Sequence, residues 1–154
     1  MITEELIKRF DMQPHEELGL IRVHTCSHTK EKRGSSGSIY YYVFPDLPTI
    51  FHKIDCDEYW AYTAGSSLQV WILEESGELR VERLGLCEGE VPMLKLEKGE
   101  TFAFRTDKDV AEGTFFCAVT VPGFVEGSSV KLFTKEEMLE LFPDAEGLEK
   151  FWEV

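Results

Sequence analysis

The sequence predicts an all-β domain, a sandwich or jelly roll of short antiparallel strands, with a short helix before it and helices after it. Three observations carry that reading. Short runs rich in β-branched and aromatic residues follow one another at close, even intervals. Turn residues punctuate them, at Pro45, Pro48, Gly65, Gly77, Gly99 and Gly113. No long helical pattern alternates with the strands, which disfavours a parallel sheet.

The opening MITEELIKRF reads as a helix: Thr3 caps it, Leu6, Ile7 and Phe10 share one side, and Pro14 blocks its continuation. From Gly19 to Ser27 the pattern alternates. Ile21, Val23 and Thr25 face one way, Arg22, His24 and Cys26 the other, as in a strand. Lys30 to Gly37 is a polar loop, and the basic stretch HTKEKR from His28 to Arg33 is a solvated part of it. SIYYYVF, Ser38 to Phe44, is the next strand, with Tyr41 facing opposite to Tyr40 and Tyr42.

FHKIDCDEYWAYTAG, Phe51 to Gly65, is the central stretch. It reads as two short strands joined through Asp55-Cys56-Asp57. His52, Ile54, Glu58, Trp60 and Tyr62 share one parity; Phe51, Lys53, Tyr59 and Ala61 share the other. SLQVWILE follows, apolar on both faces, with Leu68, Val70 and Ile72 opposite Trp71 and Leu73, as in a strand covered on two sides. Ser76-Gly77 turns the chain into ELRVERL, with Leu79 and Val81 inward. PMLKLE, ETFAFR, GTFFCAVTV and SVKLF complete the strands. In the tail, Thr134 to Glu137 is a capping box, and Met138, Leu141 and Phe142 form a stripe that Pro143 ends. Asp144 caps a second short helix carrying Leu148, Phe151 and Trp152. These helices are expected to cover an open end or face of the β-structure.

A length of 154 residues fits one domain over positions 1–154, and the hydrophobic fraction of 43% argues for a packed globule. The formal net charge of -13 speaks against nucleic acid or an anionic membrane as partner, because phosphate binding needs clustered Lys and Arg. No apolar run is long enough to span a bilayer, and the N-terminus lacks the apolar core of a signal peptide. The expected compartment is the cytoplasm. Cys26, Cys56, Cys87 and Cys117 are far apart and read as free thiols, with Cys117 buried.

Glu58, six intervening residues and Gly65 make the tail of the first cupin motif, with His52 at its first histidine. His15, Glu17, Gly19, Arg22 and Ser27 fall around the first strand, and Ile39-Tyr40 on the next. Phe51, His52, Asp57, Glu58, Trp60 and Gly65 mark the central stretch. LGLCEGEVP, TVPGF and Phe142-Pro143 follow in register. In this order they resemble the fifth cupin domain family, whose fold is similar to that of the metal-independent deoxysugar epimerases. The resemblance covers nearly the whole chain and implies a cupin jelly roll, the double-stranded β-helix, with a ligand pocket inside. The departures are informative. Ala61 stands where the family has a histidine, and Val23, Thr25 and Cys26 where it has a glutamate, a tyrosine and an arginine. The second glycine of the first-strand motif is Leu18. A metal-binding cupin's second histidine falls at Ile54 and that of its second motif near Phe102. Two remaining ligands, His52 and Glu58, rarely hold a transition metal, so neither a metal nor another cofactor is expected.

The catalytic candidates are His52, Glu58 and Tyr62; the ligand-binding candidates are Arg22, His24, Tyr41, Trp60 and Phe102. In an epimerase-like reaction His52 takes a proton next to a carbonyl, Glu58 orients it, and a tyrosine returns a proton from the other face. In the competing reading His52 is structural, bonded to Glu58 or to backbone, and Glu58 pairs with Arg22 across the barrel. Arg22 would otherwise anchor a carboxylate or phosphate. His24 and His28 read as solvent-facing.

The expected function is therefore a cytoplasmic small-molecule-binding cupin, an isomerase or epimerase acting on a sugar or keto acid without metal. The alternative is a degenerate, non-catalytic cupin serving as a binding or structural homodimer. Val23, Thr25, Ala61 and Phe102 filling the interior would favour the alternative. Tyr40, Tyr42, Phe44 and Trp71 are the expected dimer contacts.

Overall fold

The computed structural model describes residues 2–15, 19–25, 33–125 and 130–153. Apolar alternation of period two drives the chain into two antiparallel sheets whose inner faces meet. The first sheet has the order β1-β2-β3-β10-β5-β8, from Gln13–His15, Gly19–Thr25, Gly37–Val43, Thr114–Val121, Asp57–Gly65 and Met93–Leu96. The second has the order β11-β4-β9-β6-β7, from Val130–Phe133, Phe51–Ile54, Thr101–Thr106, Leu68–Leu73 and Leu79–Leu84. Helix α1 (Ile2–Phe10) precedes the strands; α2 (Lys135–Leu141) and a 3-10 helix (Leu148–Trp152) follow them.

Between the sheets lies the main core, in which Tyr41, Trp60, Phe102, Phe104 and Phe116 are joined by Ile39, Ile54, Val70 and Ile72. Both outer faces are partly covered. On the first sheet, Phe10 of α1 stacks on Phe115 at 5.8 Å, over Leu20 and Tyr42. On the second, Met138, Leu148 and Phe151 pack against Phe51, Trp71 and Leu73. Arg105 fixes this cover: its guanidinium donates to the carbonyls of Phe151 and Glu153, each at 3.0 Å, and lies over the Trp71 ring.

The strand β6 is apolar on both faces because it separates the main core from this second cluster. Gly65 ends β5 at a φ of +95°, and a Cβ there would lie 2.0 Å from the Gly113 carbonyl oxygen, so only glycine fits. The capping box of α2 is formed, with Thr134 accepting from the Glu137 N–H and Glu137 from the Thr134 N–H.

Several expectations are corrected. Helix α1 ends at Phe10, where Asp11 takes a left-handed φ of 52°, and Pro14 lies in the short edge strand β1. Val81 is exposed on the edge strand β7, while Leu79 packs on the outer cluster and Leu84 on the main core. Leu141 is exposed on α2, where Met138 alone is fully buried. The cap of the 3-10 helix is Gly147, in a left-handed conformation, not Asp144. Tyr42 and Trp71 lie under the chain's own helices, so they are unavailable as dimer contacts. Cys117 is only half-buried, on the outward parity of β10, and its thiol meets the Thr63 hydroxyl. Of the basic stretch, Arg33 is no solvated side chain. It forks onto Asp55 at 2.7 and 2.9 Å and donates to the Gly123 carbonyl at 2.6 Å. Thr3, Leu6, Leu18, Thr25, Cys26 and His28 lie outside the described residues or side chains.

Candidate functional site

Strands β4 and β5 aim His52 and Glu58 at the same aromatic interior, as their shared parity requires. His52 is buried, with its ring 4.3 Å from Phe102, the residue opposite it in register on β9. Its Nδ1–H donates to the Ile50 carbonyl at 2.8 Å, which leaves Nε2 as the acceptor of the neutral ring. Burial lowers its pKa to about 4, with a smaller push in the same direction from His15.

Glu58 is 1% exposed. Its carboxyl accepts a hydrogen bond from the Trp60 indole N–H. Burial raises its pKa to about 7, against the opposing effect of that bond. Neither a hydrogen bond nor an ion pair joins His52 to Glu58. The backbone bond of His52 is one of the two the structural reading allowed, whereas the pairing of Glu58 with Arg22 is overturned, since Arg22 pairs with Asp11.

The other candidates divide by face. Tyr41, Trp60 and Phe102 belong to the interior. Tyr41 stacks on Phe116 at 4.8 Å, Trp60 lies 4.5 Å from Phe116 and 5.0 Å from Phe104, and Phe102 is fully buried. Burial, aided by Glu58, holds the Tyr41 hydroxyl well above its ordinary pKa, so it stays protonated. Tyr62 packs at the margin of the core and donates its hydroxyl to the Gly65 carbonyl at 2.6 Å, with its pKa raised by burial. It bonds to neither His52 nor Glu58.

Arg22 points away from the interior, beside Tyr40 on the outer face, and pairs with Asp11 at 2.5 Å. His24 lies opposite Ser38 on β2, and its side chain is outside the described residues. Ala61 is outward too, opposite Cys117 and Met93, so it cannot fill the interior; Val23 does pack there.

Sequence reasoning missed the groups around Glu58. Cys56 is fully buried, and burial together with Glu58 pushes its thiol up to about 12, leaving it protonated and unreactive. The Arg33–Asp55 fork ties the preceding loop to the β4–β5 turn, and Thr120 is buried, accepting from the Phe124 N–H. The only sequence signal for the fork was an arginine ending a basic loop and an acid in the central turn. Ile54 and Phe102 place hydrocarbon at two positions where the resemblance puts metal histidines, which leaves His52 and Glu58 as the donors of that set. Among the described residues, no three His, Cys, Asp or Glu side chains are grouped to hold an ion.

The sequence matches the family model of the cupin superfamily designated DUF985 over residues 4–130. The chain belongs to this cupin family. The cupin is similar in structure to a crystallised protein of Shewanella oneidensis, at 28% identity and a TM-score of 0.81, over 91% of this chain and 89% of that one. A hypothetical protein of Leishmania major matches at 24% identity and a TM-score of 0.80, over 96% of each chain. Oxalate decarboxylase of Bacillus subtilis shares the fold at 18% identity and a TM-score of 0.63, over 87% of the cupin but 35% of the decarboxylase. No curated protein matches the sequence. No helix among the cupin's described residues is long and apolar enough to cross a membrane.

Proposed function

We propose that this cupin binds a small uncharged molecule at its interior face and does not turn it over, a degenerate-site member that acts as a homodimer. One observation carries the reading: two buried titratable groups face one aromatic interior, and among the described residues each is held by a single structural bond and neither is paired with a cation. Buried polar groups are costly unless their hydrogen-bonding capacity is used. Below about pH 7 the Glu58 carboxyl carries a proton to donate, and the His52 Nε2 accepts. A hydroxylated carbonyl compound of the sugar type offers the complementary pair. A keto acid fits less well, because Arg22 is turned outward and paired with Asp11.

Turnover by proton transfer is the second reading, favoured by a carboxyl that titrates near neutrality. Against it, His52 is a weak base and Tyr62 is bonded to the Gly65 carbonyl. The test is a thermal-shift and native mass-spectrometry series with uncharged sugars, lactones and small keto acids on wild type, Glu58→Gln and His52→Asn. A stabilising sugar-type ligand lost in both variants is expected. No shift with any uncharged compound at about a hundred times a plausible dissociation constant would count against the binding reading. Solvent deuterium appearing next to the carbonyl of a bound compound would favour turnover.

The homodimer face we propose is the half of the first sheet that α1 leaves bare. Tyr59, Met93, Val119 and Val121 stand exposed there on adjoining strands. Lys95 beside them is matched by Asp57 and Glu97, so two copies of a chain with net charge -13 can approach there with little local repulsion. The free thiols of Cys56, Cys87 and Cys117 support a cytoplasmic setting.

A further inference from the structure

A second concavity lies on the other side of the molecule, where the β11–β4 edge of the second sheet meets the C-terminal helices. It encloses about 380 Å³, within the range of small-molecule pockets. Phe51 and Phe133 form its floor, Ile50, Leu132 and Trp152 its walls, and Lys135 stands at its rim. Ile50 and Leu132 are each more than a third exposed, so the walls of this concavity offer apolar surface to a ligand.

The one charged side chain among the described residues that line this pocket is a cation, opposite in sign to the chain as a whole. The chain carries 29 acids against 16 lysines and arginines, yet the Lys135 ammonium has no carboxylate partner among the described residues and sits 5.6 Å over the Trp152 ring. A second observation is independent of that one. Lys53 and Lys131 face each other directly across the β4–β11 pair, on the same outer face as Phe51 and Phe133 and two residues further along. Like charges directly opposite in a sheet destabilise it unless an anion lies close by. Neither lysine has a carboxylate partner among the described residues.

We infer that this pocket binds a small amphipathic monocarboxylate, an aromatic or branched-chain acid, with its apolar body on Phe51, Phe133 and Trp152 and its carboxylate on Lys135. Among the described residues that line the pocket only Lys135 is charged, so a single negative charge is matched there. The lysine pair on the same face adds attraction at longer range and holds off cations. The site is separate from His52 and Glu58: β4 puts Phe51 on the outer face and His52 on the inner one.

The experiment is a titration with phenylacetate followed by the indole N–H resonances of Trp60, Trp71 and Trp152 and the methyls of Ile50 and Leu132. Phenethylamine, of like shape and opposite charge, is the control. The expected result is saturable shifts at Trp152, Ile50 and Leu132 with phenylacetate, none with phenethylamine, and at least about tenfold weaker binding in Lys135→Met, as for loss of a charge-assisted hydrogen bond. Lys135 is an exposed first-turn residue, so that variant keeps the fold. Lys53→Gln with Lys131→Gln should weaken binding less and lower its salt dependence. Equal binding of the two probes, undiminished binding by Lys135→Met, or the absence of any shift up to the solubility of phenylacetate would overturn the proposal. So would shifts confined to Trp60, which report on the interior and bear on the function proposed above.

Discussion

Glu58 and His52 respond to pH with opposite signs, and that makes each measurable against the other. Glu58 titrates at about 7 when folded, from an ordinary value of 4.5. Between those values the native state holds a proton that the unfolded state has lost, so this group's contribution falls as pH rises. His52 titrates at about 4 when folded, from 6.5. Between those values the unfolded state holds the extra proton, so its contribution rises with pH. Over the shared window the two largely cancel. We therefore expect urea unfolding of Glu58→Gln to show stability rising with pH from about 4 to 6.5, and that of His52→Gln to show it falling from about 4.5 to 7. Each swing should be at most about 3 kcal/mol. Parallel pH profiles for both variants and wild type would refute this account. Period-two parity was enough to place both groups inside. Their separate bonds, to Ile50 and to Trp60, depend on local approach that parity does not encode.

The C-terminal elements act as a cover whose strength is concentrated in few contacts. Thr134→Ala removes the capping hydrogen bond of α2 and should cost about 1 kcal/mol. Phe151→Ala empties a fully buried ring site against Phe51 and Trp71 and should cost about 3–5 kcal/mol. Arg105→Ala should raise amide exchange in residues 148–152 before it does so in β10, because it frees two backbone carbonyls of the cover and loses only side-chain contacts to Gln69 and Trp71 on the sheet. Uniform acceleration across the chain would show that the cover is not a separate unit. The capping box was legible because it is a local pattern. Val81 and Leu141 were misread because an apolar residue at an edge strand or helix margin fits the period without a neighbour to bury it. Gly147 was missed as a cap because its role rests on a left-handed backbone, not on a side chain.

At the scale of the whole molecule, the sheets were readable from strand periodicity, but which outer face stays bare was not. That depends on where α1 and the C-terminal helices dock, a long-range outcome that also hid Tyr42 and Trp71. If the bare half of the first sheet joins two copies, Val119→Glu should yield a single-chain mass by sedimentation at micromolar concentration while wild type yields twice that mass. A single-chain mass for wild type would dispose of the homodimer. Strand order has its own consequence for how the protein is made. In the first sheet β3 is bonded along its inner edge to β10, so Gly37–Val43 leaves the ribosome long before Thr114–Val121 exists to join it. During that interval Tyr41 lacks Phe116, the ring it stacks on, and Ile39 and Val43 lack their neighbours on β10, so a nascent chain halted before residue 114 should bind ribosome-associated chaperones that a completed one releases.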